Sequence, residues 1–267
     1  MKLVCRFFII FLPLLLAACA TSPTGRNQLM MISEESAIVQ SAQAYAQTMD
    51  DYEKKGQISN DQALIDRVNR ITGRLIYEAL IMRPDTRNWQ WSMQIINDPK
   101  TVNAWSMAGG RMALYTGLIE KINPTDDELA QVLAHEISHA LAKHTAEKMS
   151  VAMATSLGAL AVAVATDSRT VAMGASTAAI VAITLPNSRT AETEADHIGM
   201  ELAARAGYDP HAAVTLWQKM SKESGGSSYD FFSTHPSSGK RIEALDALVP
   251  SMMPYYEEQK PHPVYPL

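Results

Sequence analysis

Two histidines and a glutamate stand at a spacing that could do chemistry, in His135-Glu136-Ile137-Ser138-His139. An α-helix advances about 100° per residue, so the two imidazoles lie about 40° apart around its axis, with Glu136 in the same arc. Such a pair can bind one Zn²⁺, and the adjacent glutamate can act as a general base on a water beside it. The alternative is a surface helix that carries these residues by chance. The pattern predicts a zinc hydrolase centre.

A site of this kind needs a third protein ligand and one open position. Glu192 and Asp196 stand four residues apart, so they share a helix face with Ala195 and Gly199, whose small size would let two helices approach closely. We expect Glu192 to ligate zinc and Asp196 to orient a ligand histidine. Glu194 points elsewhere and is expected to face solvent. The alternative is an ordinary exposed acidic helix face.

The helix that carries the two histidines has a clear start. Thr125-Asp126-Asp127-Glu128 is a capping box, and the helix is expected to run to about Met149. The helix that carries Glu192 is predicted over residues 188–206 and ends at Gly207. These two helices must pack together to form the site.

Other segments predict a mainly helical domain. Helical periodicity covers residues 33–80 in two helices, the second starting near residue 61, and two further helices are expected over 210–221 and 239–248. Residues 89–97 and 111–115 read as strands. These strands are too few for an all-β fold, so the expected class is α+β, with a small β-sheet beside the active-site helix.

Composition limits the class of protein. Of 267 residues, 47% are apolar and 19% charged, which excludes a disordered polyelectrolyte and allows a large core. A pI near 5.8 argues against nucleic-acid binding, which needs a basic surface. The two cysteines, Cys5 and Cys19, rule out a four-cysteine zinc site. If Cys5 is removed with a signal segment and Cys19 is lipidated, the mature domain has no thiol ligand, and zinc would be held by nitrogen and oxygen atoms alone.

The first residues have the layout of a signal peptide. Two basic residues precede an apolar run over 7–18, and small residues stand directly before Cys19. Leu-Ala-Ala-Cys resembles a bacterial lipobox, in which the cysteine becomes the lipidated first residue. We expect residues 1–18 to be removed and residues 19–28 to form a short lipidated tether. The alternative is a buried N-terminal helix with an incidental cysteine.

The residues after Cys19 indicate which membrane would hold the lipid anchor. Ala20 and Thr21 follow it, and neither is the aspartate that favours inner-membrane retention in enterobacterial lipoproteins. The resemblance to those lipoproteins implies an anchor in the outer membrane of a Gram-negative bacterium, with the protein facing the periplasm.

The combined motifs resemble a known peptidase family. The His-Glu-x-x-His motif, followed by Glu192-x-x-x-Asp196, is similar to the gluzincin peptidases related to heat-shock protease X, the CAAX prenyl protease and the Oma-type proteases. The chain looks most like their periplasmic lipoprotein branch, which includes the beta-barrel-assembly-enhancing protease. Further matches are Val102-Asn103-Ala104-Trp105, Gly109-Gly110, Tyr115-Thr116-Gly117-Leu118, Thr234-His235-Pro236 and Arg241-Ile242.

The resemblance implies a zincin-like metalloprotease domain over residues 29–250 and a role for each matching residue. The implied zinc ligands are His135, His139 and Glu192, and the implied catalytic base is Glu136. An edge strand containing Asn103, Ala104 and Trp105 would bind substrate peptide by β-augmentation. His235 would stabilise the oxyanion or occupy the open zinc position; the alternative is a loop histidine bonded to backbone.

Two features depart from the family. Membrane relatives carry transmembrane helices, whereas residues 150–165 and 171–185 are each shorter than a span. They are expected to form a helical hairpin that acts as a lid, covers the core or contacts a membrane. No helical-repeat region of the assembly-enhancing type is expected within these 267 residues, and residues 251–267 read as a Pro- and Tyr-rich tail.

Together these observations predict a zinc endopeptidase with one Zn²⁺ per chain, tethered in the periplasm, that hydrolyses misfolded or misassembled envelope proteins. Its expected partners are polypeptide substrates, the outer membrane and the outer-membrane protein assembly machinery, but not nucleic acid. One alternative is a non-catalytic or self-inhibited assembly factor or chaperone. Another is a peptide-binding lipoprotein without metal.

Overall fold

The computed structural model describes residues 19–166, 185–223, 231, 235 and 240–267. Eight α-helices lie within these residues, as the sequence predicts for a mainly helical α+β domain. The helices are α1 Glu34–Lys54, α2 Gln62–Met82, α3 Thr116–Ile122, α4 Asp126–Leu141, α5 His144–Thr166, α6 Leu185–Arg205, α7 His211–Glu223 and α8 Arg241–Tyr256. The strands are β1 Cys19–Thr21, β2 Asn27–Leu29, β3 Ser92–Ile96, β4 Ala104–Met107 and β5 Arg111–Tyr115.

Helix α4 lies at the centre of the domain. The predicted capping box is present, with the Thr125 side chain and the Glu128 side chain each bonded to the other residue's backbone amide. Every residue from Glu128 to Leu141 is buried. Helix α6 packs on α4 at Gly199, where a Cβ would lie 3.0 Å from the His135 amide nitrogen. The expected close approach of the two helices is confirmed.

A three-stranded sheet lies beside α4 in the order β3-β5-β4, with β3 parallel and β4 antiparallel to β5. The strand predicted over 111–115 is confirmed. The strand predicted over 89–97 is shorter, because Trp89 and Trp91 belong to the turn before it. Both rings are buried, and Trp91 Nε1 donates to Thr86 O at 3.2 Å. Strand β4 forms one edge of this sheet.

The predicted end of α4 near residue 149 is wrong. The helix ends at Leu141, and Lys143 has a left-handed backbone with φ of 59°. The chain then starts α5 at His144, which makes α5 longer than the expected segment. Within the described residues, α5 is the one helix long and apolar enough to cross a membrane, by length and composition only. The rest of the predicted hairpin, residues 167–184, lies outside the described residues.

The second boundary error concerns the C-terminus. Helix α8 continues to Tyr256 through Pro250 and Pro254, so the expected tail from residue 251 starts as helix. The residues after it fold back onto α2: Tyr265 N–H donates to Gly73 O at 3.0 Å, and the ammonium of Lys260 lies 3.2 Å from the Glu78 carboxylate. The end of the chain is therefore part of the folded domain.

Residues 19–29 also differ from the expected tether. Strands β1 and β2 pair antiparallel, with Cys19 opposite Leu29, and Ser22 and Gln28 are buried. We call residues 19–29 the N-terminal hairpin. It packs on the first turn of α5, where Gln28 Nε2 donates to Ala142 O and to the Glu147 carboxylate. The predicted signal, residues 1–18, lies outside the described residues.

Candidate active site

Four buried side chains converge between α4 and α6. His135 and His139 lie on α4, Glu192 lies on α6, and His235 approaches from the segment before α8. One ligand atom from each lies within 4.8 Å of all the others. The Nε2 atoms of His135 and His139 are 3.1 Å apart, and the Glu192 carboxylate lies 3.2 Å from the first and 3.4 Å from the second. The structure thus brings together the three predicted zinc ligands and the predicted loop histidine.

The chemistry of this donor set fits a metal ion. Two imidazoles and a carboxylate are the nitrogen and oxygen ligands that catalytic zinc sites use. Glu192 Oε1 is buried and accepts no hydrogen bond from the residues that the structure describes, although His139 Nε2 is close to it. A buried carboxylate oxygen without a partner is costly unless a cation lies beside it. His135, His139 and Glu192 would hold that cation.

The protonation states of Glu192 and His139 suit metal binding, whereas His135 holds a proton that it must lose when a metal binds. Burial opposes ionisation of Glu192, but hydrogen bonds from His135 and His235 outweigh it and hold its pKa well below the usual value. Burial lowers the pKa of His139 well below its usual value, and the nearby His135 adds to this. Metal ligands must be charged carboxylates and neutral imidazoles, so both residues are in the form required. Burial also disfavours charged His135, but hydrogen bonds to Asp196 and Glu192 raise its pKa to about 9.

Glu136 is buried beside the ligand cluster. Burial raises the pKa of its carboxyl group above the ordinary value. Its Oε1 atom accepts no hydrogen bond from the described part of the chain, and His235 Nε2 lies 3.3 Å from it. The Ser106 hydroxyl donates to the Glu136 backbone carbonyl at 2.5 Å, which joins β4 to α4. A carboxylate held in this way can accept a proton at Oε1.

Asp196 lies behind His135, as the sequence predicts from its position four residues after Glu192. Its Oδ1 atom is 3.0 Å from His135 Nδ1, and it also accepts a hydrogen bond from Arg241 Nη2 at 2.5 Å. The Arg241 guanidinium stacks over the Trp217 ring at 3.8 Å and lies 3.5 Å from Glu192. Sequence reasoning gave Arg241 no role, because an arginine alone does not show that it will be buried.

Glu194 corrects one expectation. It does not face solvent: it is 5% exposed and binds His144, Thr24 and Arg26. The reason is that α6 is covered on a second side by the N-terminal hairpin, which the sequence did not predict. Hydrogen bonds from these residues outweigh the effect of burial and hold the pKa of Glu194 well below its ordinary value. His144, which also contacts His139, was likewise missed.

His235 lies inside the cluster. Its Nδ1 atom is 3.2 Å from the Glu192 carboxylate and 3.4 Å from His135 Nε2, and its ring stacks on Phe231 at 4.6 Å. The neighbouring Thr234 and Pro236 of the predicted motif lie outside the described residues. The position fits either of the two expected roles, oxyanion stabilisation or occupation of a metal position.

The predicted substrate strand lies next to α4. Ala104 and Trp105 belong to edge strand β4, and Asn103 directly precedes it. The Trp105 ring meets Tyr45 edge to face at 5.8 Å, and Asn103 Oδ1 accepts the Ala104 amide at 2.9 Å. The structure therefore places these three residues at a sheet edge beside the ligand cluster.

Comparison with known proteins identifies the family. Residues 63–249 match Peptidase family M48, a stretch that contains the whole ligand cluster. The chain belongs to this family. The resemblance of the sequence motifs to a family of zinc metallopeptidases is thereby confirmed.

Proteins similar to this chain include mitochondrial and bacterial metalloproteases. The chain is 38% identical over 165 residues to the mitochondrial metalloendopeptidase OMA1 of Schizosaccharomyces pombe, covering 60% of this chain and 47% of the relative. It is 30% identical over 242 residues to the metalloendopeptidase OMA1 of Bos taurus, covering 86% and 46%. It is 28% identical over 246 residues to the metalloprotease YcaL of Escherichia coli, covering 86% and 95%. The chain thus spans about half the length of these mitochondrial relatives.

Proposed function

We propose that this chain is a zinc-dependent endopeptidase of the bacterial envelope that cleaves misfolded or misassembled proteins. One observation carries the activity: two histidines and a glutamate converge in a buried cluster, and beside them lies Glu136, whose Oε1 accepts no hydrogen bond within the described residues. Membership of Peptidase family M48 supports the reaction type. Similarity to two metalloproteases of Escherichia coli, YcaL and LoiP, supports a bacterial setting.

The proposed reaction is amide hydrolysis. His135, His139 and Glu192 would hold the zinc ion, which would supply Lewis acidity and lower the pKa of the attacking water. Glu136 takes a proton from the attacking water at its carboxylate and gives it to the leaving amine nitrogen. Its burial favours this role, because a raised pKa brings a carboxyl group closer to the working pH. His235, whose Nε2 lies 3.3 Å from Glu136 Oε1, is proposed to donate a hydrogen bond to the developing oxyanion.

Strand β4 is proposed to bind the substrate backbone. Tyr115 N–H donates to Asn103 O, so the backbone groups of Asn103 and Trp105 are directed towards β5. In an antiparallel pair alternate residues face opposite edges, so those of Ala104 and Ser106 are directed to the open edge, where the Ala104 amide is already bonded to Asn103 Oδ1. Ser106 also bonds to the backbone of α4. An extended peptide paired with this edge would therefore lie along the active-site helix.

Glu136→Gln is the test of this mechanism. The amide keeps the shape of the side chain but cannot accept the proton, so cleavage of casein should fall by about 10²–10⁴-fold while zinc stays bound. The full chain, purified in detergent, is assayed for casein cleavage and zinc content. Glu53→Gln, at an exposed position on α1, is the matched control and should behave as wild type. Full casein cleavage by the Glu136→Gln protein would contradict the mechanism.

The Glu136→Gln variant can also be used to identify the substrates. A Glu136→Gln chain that binds but does not cleave should retain envelope proteins when it is expressed in the periplasm. Identification of proteins held by this variant, but not by the wild type, would name the substrate class. Capture of the same proteins by both chains would contradict substrate trapping.

The lipid anchor is proposed from the residues around Cys19. Cys19→Ala should abolish incorporation of labelled palmitate and release the protein from the membrane fraction. Cys5→Ala is the matched control, because Cys5 lies in the segment that is removed and its loss should change neither result. Palmitate incorporation into the Cys19→Ala protein would contradict the proposal.

A self-inhibited assembly factor is the second candidate. It is favoured by His235, which lies within the ligand cluster and next to Glu136. In that state His235 would fill the position that substrate needs. Rescue of an envelope assembly defect by the Glu136→Gln variant would support it, since such rescue needs no cleavage.

A further inference from the structure

The second ring nitrogen of each ligand histidine has its own partner. His135 Nδ1 meets the Asp196 carboxylate directly, whereas His139 Nδ1 lies 2.8 Å from Nδ1 of another histidine, His144. The far nitrogen of His144, Nε2, is 3.1 Å from the Glu194 carboxylate. The imidazoles of His139 and His144 and the carboxylate of Glu194 therefore form a line of successive contacts that starts at a proposed metal ligand.

This line has one consistent set of protons. A histidine that binds a metal through Nε2 is neutral and carries its hydrogen on Nδ1. His139 Nδ1–H then donates to His144 Nδ1, so that His144 carries its own hydrogen on Nε2 and donates it to Glu194. The tautomer of His139 is therefore determined by His144, and the tautomer of His144 by Glu194. The carboxylate of Glu194 thus determines which nitrogen of His139 is free for the metal.

Burial and backbone geometry hold His144 in this position. It is 1% exposed, and its ring lies 4.9 Å from the His139 ring, centre to centre. The left-handed backbone of Lys143 ends α4 and turns the chain, so that α5 begins with His144 facing the site.

The N-terminal hairpin holds the far end of the line. Glu194 accepts hydrogen bonds from the Thr24 hydroxyl at 2.5 Å and from Arg26 Nε at 2.8 Å. The other two guanidinium nitrogens of Arg26 bind both carboxylate oxygens of Glu147 at 2.7 Å. Glu147 lies one turn after His144 on α5. Arg26 therefore joins α5 and α6 behind the site.

We propose that His144 is a positioning residue for the metal ligand His139, and that the N-terminal hairpin supports it through Glu194. The inference rests on the proposed function, since it needs His139 to ligate the metal. It gives the residues that follow Cys19 a role in the site besides any role in anchoring. It also gives a purpose to the buried Glu194, which the catalytic steps do not use.

Two amide substitutions separate positioning from mere packing. In His144→Asn, the amide oxygen can take the place of Nδ1 and still accept from His139. In His144→Gln, the amide reaches the place of Nε2, keeps the contact with Glu194 and leaves His139 without an acceptor. We expect the zinc dissociation constant to rise about 10–100-fold in His144→Gln and only a few-fold in His144→Asn.

The measurement is chelator competition for zinc on the full chain in detergent, together with the visible spectrum of the Co²⁺-loaded protein. The spectrum should change in His144→Gln and match wild type in His144→Asn. His197→Gln, at an exposed position on α6, is the matched control and should leave both readouts unchanged. A purely structural role for His144 would make the Asn and Gln variants equally weak, or the Gln variant the better one, and would overturn the proposal.

If neither His144 variant folds, Arg26→Met tests the support that the N-terminal hairpin gives to Glu194. It keeps an apolar stem but removes the bonds to Glu194 and Glu147, and should weaken zinc binding a few-fold and alter the Co²⁺ spectrum. Unchanged affinity and spectrum in Arg26→Met would overturn the role of the hairpin. A wild-type chain that binds no zinc and cleaves no casein would overturn the proposed function itself. Wild-type zinc binding and cleavage with unchanged His144→Gln affinity would overturn only this inference.

Discussion

The two histidines of α4 are supported differently. On the first side, His135 contacts Asp196 directly, and Arg241 neutralises that carboxylate. On the second side, His139 reaches a carboxylate only through His144, and Glu194 depends on the N-terminal hairpin. We refer to these as the His135 side and the His139 side. The first is a direct contact between α4 and α6 that α8 supports through Arg241, and the second also needs α5 and the N-terminal hairpin.

This difference determines how strongly a single substitution on each side affects the protein. On the His135 side one carboxylate, that of Asp196, contacts both His135 and the buried Arg241, so that its loss removes a partner from both groups at once. The His139 side spreads its contacts over α5, α6 and the hairpin, so that a single change leaves other bonds in place. Predictions that separate the two sides follow, from the largest expected effect to the smallest.

The largest effect is expected for Asp196→Ala on the His135 side. It leaves the 6%-exposed guanidinium of Arg241 without its closest partner. Breaking a buried ion pair in this way costs about 3–5 kcal/mol, so the free energy of unfolding should fall by that amount. Urea unfolding of the full chain measures it. Asp246→Ala, at an exposed position on α8, should change little; an equal loss in both variants would contradict the buried pair.

A smaller effect is expected where α6 touches the backbone beneath His135. In Gly199→Ala the new Cβ would lie 3.0 Å from the His135 nitrogen and 3.1 Å from its Cα. The helices must separate, which should cost about 1–3 kcal/mol and reduce casein cleavage. Gly158→Ala on α5 is the matched control, because no atom lies within 4 Å of its new Cβ.

The two glycine variants should differ in sign. Alanine in an exposed helix interior is favoured over glycine by about 0.5–1 kcal/mol, so Gly158→Ala should raise the thermal midpoint while Gly199→Ala lowers it. A gain in stability from Gly199→Ala would contradict the close helix contact.

The smallest effect is a pH dependence on the His139 side. Burial favours the neutral form of Glu147, but hydrogen bonds from Arg26 and Gln28 outweigh it and hold its pKa below the ordinary value. A carboxylate with a lowered pKa stabilises the fold above the unfolded-state pKa, and this stability is lost as pH falls through the folded-state pKa.

In Arg26→Met, stability should therefore be lower at neutral pH and decline less on acidification than in the wild type. Unfolding by urea at several pH values between neutral and acid measures both slopes. Parallel curves for the two proteins would show that Arg26 does not set the pKa of Glu147.

The same comparison shows how far the sequence could predict the site. His135, His139, Glu192 and Asp196 follow from spacing on two helices, since a four-residue interval fixes a shared face wherever the helix packs. His144 and Glu194 could not be found in this way. Their roles depend on a break after Leu141 and on a hairpin that covers a second face of α6, and both are tertiary features.

The errors in element boundaries have similar causes. The apolar pattern continues beyond α4, so it does not reveal that Lys143 adopts a left-handed backbone. The prolines of α8 suggested a tail, but burial of Val249 and Met252 in the core keeps the helix intact. In each case a tertiary contact outweighs a local signal.

The most direct test of the metal site compares two glutamates on α6. Zinc is measured in the purified full chain and in the Glu192→Gln and Glu194→Gln variants. The wild type and Glu194→Gln should each hold one zinc per chain, the latter somewhat more weakly, whereas Glu192→Gln should hold no stoichiometric zinc and should not cleave casein. A wild type without zinc, or a Glu192→Gln variant that binds zinc as tightly as the wild type, would contradict the account.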